Sequence, residues 1–294
     1  MAPALAWPVV ATLLALLSSG LWGTADFLGG TASRRLPLIA VVGVSQAVGA
    51  LGMLIAAVLT GALDASPGYV GWAVLGALSG TGGLLAFYEA LATGTMGVVA
   101  PIAALGVVVP VAVGIAQGDR PNAVQAIGVV VAIAGVVLAS GPELRNEDVE
   151  RRRAARPLLL AVVAAAGFGV VFVCVDHGAR TSTIMMLFSM RAISVALFTG
   201  YALATGWKRQ MAITAADLPL LAMVGIFDVS ANATFAYATQ HGLLSLVAVL
   251  SSLYPAVTVI LARFVHSERL KPVQLSGVVA ALAGVVLIAS TGTG

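Results

Sequence analysis

The sequence predicts an all-α polytopic membrane protein whose ten transmembrane helices form two inverted repeats of five. Three observations carry that expectation. Hydrophobic residues make up 60% of the 294 positions and charged ones only 9%, with a mean hydropathy of +1.04. Too few polar residues remain to cover a water-soluble core of that size. The apolar residues fall into runs of membrane-spanning length, and the two halves of the chain repeat one another.

A helix needs about 20 apolar residues to cross the hydrocarbon core. Runs of that kind lie near 8–28, 38–60, 69–91, 98–117, 122–140, 157–176, 184–205, 218–238, 243–265 and 272–290. The first, from Pro8 to Leu28, is too long for the apolar region of a signal peptide and has no basic stretch before it, so it reads as a span. Between the third and fourth runs the break Ala92-Thr93-Gly94-Thr95-Met96-Gly97 is short and uncharged. Barrel-type alternation is absent, which leaves helices as the spanning element. The 33 glycines and scarce aromatics, 6% of the chain, suit helices that pack by close backbone approach.

The strongly polar stretch Pro142 to Arg156 reads as a solvated linker, with its arginines able to meet lipid headgroups. It divides the chain into a first repeat, 1–141, the linker, 142–156, and a second repeat, 157–294. Residues 124–138, VQAIGVVVAIAGVVL, return as VQLSGVVAALAGVVL at 273–287, with Gln125 and Gln274, Gly128 and Gly277, and Gly135 and Gly284 in register. Asp119-Arg120 matches Glu268-Arg269 upstream. Further back, Phe87, Gly94, Val99, Ala100 and Leu105 match Phe235, Gly242, Val247, Ala248 and Leu253 after a shift of one residue. Five spans per half is an odd number, so the second half enters the membrane from the opposite side. Such symmetry recurs in secondary transporters, whose substrate site sits near midplane.

Loops after the odd-numbered spans carry Arg34, Arg35, Arg145, Arg151, Arg152, Arg153, Arg156, Lys208, Arg209, Arg269 and Lys271. The opposite side has Arg120 and Arg180. The positive-inside rule puts the first set in the cytoplasm and both termini outside a cytoplasmic membrane.

Ionisable residues inside spans are costly and face a cavity or a partner. Asp228 lies in the middle of the eighth span, with Asn232, Phe235 and Thr239 continuing its face. Arg191 lies inside the seventh span beside Ser189, Met186 and Met190, and Asp228 is its natural acceptor. This pair either binds substrate or a coupling proton, or locks two helices together as a structural ion pair. Glu89, beside Tyr88, reads as an interfacial carboxylate or a second proton site. Asp26 is expected to cap a turn at Gly29-Gly30, Arg263 to snorkel from a span end, and Asp176 and His177 to sit in a solvated boundary loop. Trp22, Phe168, Phe172 and Tyr237 are candidates to line an amphipathic cavity, against lipid-facing or packing roles. Pro101, Pro110 and Pro255 are candidate hinges.

Several classes of chemistry have no signature. His177, His241 and His266 are isolated, with no metal-binding cluster. Neither a phosphate-binding GxxxxGK[ST] loop nor a Gly-x-Ser-x-Gly elbow occurs. The single Cys174 excludes an intrachain disulfide. No cofactor is expected, nucleic acid is not indicated by the net charge of +3, and enzymatic activity is not expected. The expected partners are a small-molecule substrate, the bilayer and, as candidate coupling ion, protons; a monomer is sufficient but not required.

The segment FYEALATGTMGVVAPIAALGVVVPV (87–111), followed by Asp119-Arg120 and the Gln125 helix, resembles the EamA-type pattern. So do its counterpart from Phe235 to Leu287, with Tyr254-Pro255 and Ser267-Glu268-Arg269, and the first span's Leu21-Trp22-Gly23-Thr24-Ala25-Asp26-Phe27. The resemblance covers both halves, with two departures: Asp119 stands where the family has Glu, and Gln117-Gly118 is more polar than usual. It implies a drug/metabolite carrier working by alternating access, often an exporter. It also implies cytoplasmic termini, against the charge count. An uncoupled facilitator or exchanger of the same fold, a channel, and an intramembrane lipid-processing enzyme are the alternatives.

Overall fold

The computed structural model describes residues 6–94, 96–118, 120, 122–140, 148–266 and 272–290, and among these every regular element is helical. The first repeat holds α1 (Ala6–Ser33), α2 (Leu38–Thr60), α3 (Val70–Thr93), α4 (Met96–Ala104), α5 (Val108–Ala116) and α6 (Ala123–Ser140). The second holds α7 (Asp148–Thr205), α8 (Trp207–Gln210), α9 (Leu218–Thr239), α10 (Leu244–Ser251), α11 (Tyr254–His266) and α12 (Pro272–Ser290). Among the described residues six helical stretches are long and apolar enough to cross a membrane: Val9–Ser33, Leu38–Thr60, Pro67–Thr93, Arg156–Thr205, Ala215–Thr239 and Leu244–His266. Ile102–Ala116 and Ala126–Gly135 are shorter apolar helices.

Four sequence expectations change. The expected linker 142–156 is helical from Asp148, where α7 begins; the runs at 157–176 and 184–205 are the two arms of α7, divided at Ser182, where the backbone turns extended (φ −161°, ψ 110°). Residues 141–147 of that linker, Asp119, and the loop 267–271 with Glu268 and Arg269 lie outside the described residues. Asp26 caps no turn, because α1 runs through Gly29-Gly30 to Ser33. Asp176 and His177 lie within α7, where Asp176 is only 2% exposed. Arg180, one turn on, donates to Asp176 over 2.7 Å and holds that helical turn together.

The fourth change concerns the run at 98–117, which divides into α4, a 3₁₀ turn at Leu105–Val107, and α5. Pro110 is responsible: it has no N–H for the carbonyl of Gly106, and its ring displaces that carbonyl. The run at 243–265 divides between α10 and α11 in the same way, just before Pro255, which removes the donor for the carbonyl of Ser251. Pro101 lies within α4.

Helix-to-helix pairings organise the interior. α1 lies along α9, α3 along α7, and α2 between α9 and the second arm of α7; α4 crosses α11, α5 crosses α10, and α6 pairs with α12. Glycine allows the closest approaches. A Cβ at Gly167 would come within 2.7 Å of the Ser79 carbonyl oxygen and 3.0 Å of the Gly83 Cα. Small hydroxyls then join helices through backbone carbonyls: Ser18 donates to Ala231 (2.8 Å) and Thr258 to Gly23 (3.1 Å). The outward faces stay apolar, as Leu13, Leu54, Leu59, Leu203 and Phe264 illustrate. That suits lipid and no aqueous solvent.

Candidate functional site: a charged cavity among the helices

Helix α9 is apolar along most of its length, so its one carboxylate, Asp228, needs a partner inside the bundle. Arg191, on the second arm of α7, supplies it: Nη2 donates to Asp228 Oδ2 over 2.6 Å. Arg191 is 3% exposed, and its Nε has no hydrogen-bond partner among the described residues. It passes so close to α2 that a Cβ at Gly49 would stand 2.8 Å from its Cδ and Nε. Asn232, one turn beyond Asp228, donates from Nδ2 to the Asp228 carbonyl (2.8 Å) and reaches Oδ1 at 3.3 Å. The pair is thus held from three helices, and the Asp228 side chain keeps 17% exposure.

That exposure opens on a cavity of about 770 Å³, space at its mouth included. Both repeats line it: Trp22 and Asp26 from α1, Gln46 from α2, Thr81 from α3, Phe168 and Phe172 from the first arm of α7, and Tyr254 from α11. Asp26 is 7% exposed, and its carboxylate makes no hydrogen bond or ion pair with any described residue. The Tyr254 hydroxyl is buried and has no partner either. Two aromatic groups flank the space. Trp22 and Phe172 (centroids 5.4 Å apart) rest on the fully buried Phe235, and Phe168 and Tyr254 meet Phe87 edge-on at 5.3 and 6.4 Å. A Thr81–Ser194 hydroxyl pair, 2.8 Å apart, completes the polar wall.

Of the residues singled out in the sequence, Asp228, Arg191, Asn232 and Trp22 come together at this cavity. Tyr237 does not: it is 46% exposed, on the outer surface of α9. Glu89 lies away from the cavity and pairs with Arg156 across the ends of α3 and α7, where both side chains meet solvent. Such an exposed pair contributes little, about 0–1 kcal/mol. Glu89→Gln is therefore expected to leave solute uptake within about twofold of wild type and the thermal midpoint nearly unchanged; a loss of uptake in proteoliposomes would make Glu89 a working proton site. Pro110 and Pro255 are buried beside the two helix breaks. Asp26, Gln46, Thr81, Ser194 and Tyr254 are polar cavity residues that sequence reasoning did not select. For Asp26 a signal existed, since it falls one helical turn after Trp22 on the same face.

Among the described residues no group of three or more His, Cys, Asp or Glu could hold a metal ion. The arrangement joins a buried ion pair, an acid with no partner among the described residues and aromatic walls.

The model of the EamA-like transporter family matches the chain twice, over residues 9–141 and 155–290. A solved structure, described only as the crystal structure of a protein, superposes with a TM-score of 0.72 at 19% identity. It covers 94% of this chain and 95% of the other, and supports the fold alone. No curated protein matches the chain.

Proposed function

The chain belongs to the EamA-like transporter family, and from that premise we propose that it is a secondary carrier of ten spans that exports a small organic solute across the cytoplasmic membrane by alternating access. The observation that carries the reading is the buried Arg191–Asp228 pair facing a cavity built by both repeats. Charges inside a span are costly, and those that face a cavity mark substrate and ion pathways.

The ten-span count rests on lengths. Laid end to end, the 58 residues of α7 would reach about 87 Å, nearly three times the hydrocarbon thickness, and the break at Ser182 supports two crossings. α4 with α5, α10 with α11, α6 and α12 supply the crossings beyond the long helices. The inverted arrangement is supported by reciprocity: α1 lies along α9 as the first arm of α7 lies along α3, and α4 meets α11 as α10 meets α5. A two-fold axis in the membrane plane relates each pair to the other. The helix breaks at Leu105–Val107 and Ser252-Leu253 fall at matching positions, as discontinuous helices do around midplane sites. The basic loops favour extracytoplasmic termini, and export is the direction that the family resemblance implies.

The pair has a second reading. Asp228 is already satisfied by Arg191 and Asn232, which suits a structural lock in an uncoupled facilitator. Purified protein in liposomes with an internal pH dye separates the two. A coupled carrier gives saturable solute movement with a matching pH change. Counterflow without any pH change favours the facilitator or exchanger, and solute flux that neither saturates nor shows counterflow would sink the carrier reading.

A further inference from the structure

The charges lining the cavity do not balance. Asp26, Asp228 and Arg191 are its ionisable acid and base groups; Arg191 and Asp228 neutralise each other at 2.6 Å. Asp26 is left as an acid with no hydrogen-bond or ion-pair partner among the described residues. Nine-tenths burial with no donor is a costly state for an anion. The Tyr254 hydroxyl is a second unpaired polar group at the same cavity. The rings of Trp22, Phe172 and Phe168 also line this cavity. An unpaired acid, an unpaired hydroxyl acceptor and electron-rich ring faces are together the complement of an ammonium group on an apolar body.

Resting on the carrier reading above, we propose that the cargo is a small organic cation, an amine whose ammonium donates to Asp26 and Tyr254 while its body lies against Trp22, Phe168 and Phe172. An anion would meet Asp26 uncompensated. A zwitterion's carboxylate would need the Arg191 guanidinium, which Asp228 already holds and which is 3% exposed.

Equilibrium dialysis of the full-length protein in lipid nanodiscs tests this with one skeleton in three charge states: phenethylamine, phenylalanine and phenylacetate, with tryptamine and hexylamine as further amines. At least one amine is expected to bind about tenfold or more tighter than the zwitterion and the anion. Asp26→Asn, close to the native shape, should weaken that amine about tenfold or more, and Tyr254→Phe a few-fold, with folding checked by gel filtration. Should Asp26→Asn fail to fold, Tyr254→Phe and the charge series still decide. Tighter binding of phenylalanine or phenylacetate, no binding of any amine, or full affinity in a folded Asp26→Asn protein overturns the assignment. Counterflow of the same solutes separates the two levels: zwitterion or anion counterflow without amine counterflow removes the cation and keeps the carrier, whereas loss of counterflow for every solute removes the carrier itself.

Discussion

Asp228→Ala is expected to leave little folded protein, and Asp228→Ala combined with Arg191→Met to restore the fold without restoring transport. The asymmetry comes from burial. Arg191 is 3% exposed, its Nη2 donates to Asp228, and its Nε is already unpartnered. Removing the carboxylate strands a guanidinium inside the bundle, at a cost of about 3–5 kcal/mol. Replacing both partners with apolar groups removes that penalty. Arg191→Met alone should be milder, because Asp228 keeps Asn232 and its 17% exposure toward the cavity. Asp228→Asn retains an acceptor for Arg191 and is expected to fold. It loses the charge that a solute or proton must exchange with, so transport should fall about 100-fold, the equivalent of roughly 3 kcal/mol. Thermal midpoints in detergent and uptake in liposomes measure the two effects separately. Full transport by Asp228→Asn would reduce the pair to a helix lock.

Gly225→Ala should be among the most damaging conservative changes in the chain, while Gly52→Ala should be neutral or stabilising. Gly225 sits where α9 meets α2, and a Cβ there would overlap the backbone carbonyl oxygen of Ser45. Backbone cannot rotate aside as a side chain does, so the helices must part; overpacking of that kind costs about 1–3 kcal/mol. Parting α9 from α2 also moves Asp228, one turn further along, away from the Arg191 that α2 supports through Gly49. Transport is therefore expected to fall with stability. Gly52, in the same helix as Ser45, has no neighbour within 4 Å of a Cβ. Alanine there gains about 0.5–1 kcal/mol of helix stability with nothing to displace. Thermal midpoints of the two purified variants give the comparison, and equal midpoints would contradict the packing account.

The membrane class and the repeat were legible because composition, run length and register each speak without tertiary context. So was the Arg191–Asp228 pair: two charges on successive spans leave each other as the nearest remedy for burial. Asp26 was misread despite its place one turn after Trp22, because Gly29-Gly30 carries the ordinary mark of a helix end. In the structure the glycine serves packing: a Cβ at Gly29 would overlap the hydroxyl end of the Tyr88 ring, so the helix continues and Asp26 stays inside it. Asp176 misled for a related reason. Asp-His-Gly-Ala-Arg reads as a loop, yet His177 accepts cover from Trp72 (rings 4.5 Å apart) and Arg180 satisfies the carboxylate, so the turn stays helical and buried. The prolines marked where helices 98–117 and 243–265 break, though not that both breaks border one cavity, which depends on how the halves meet.

The central claim is that this midspan cavity is reached in turn from each side of the membrane. Its most direct test is the accessibility of a single cysteine, Gln46→Cys, in a Cys174→Ala background, labelled in intact proteoliposomes by a membrane-impermeant thiol reagent supplied outside or trapped inside. Gln46 lines the cavity and Cys174 is buried outside its lining. The account predicts labelling from both sides, with saturating solute changing the two rates in opposite directions. Labelling from one side only, at a rate that solute leaves unchanged, would contradict it.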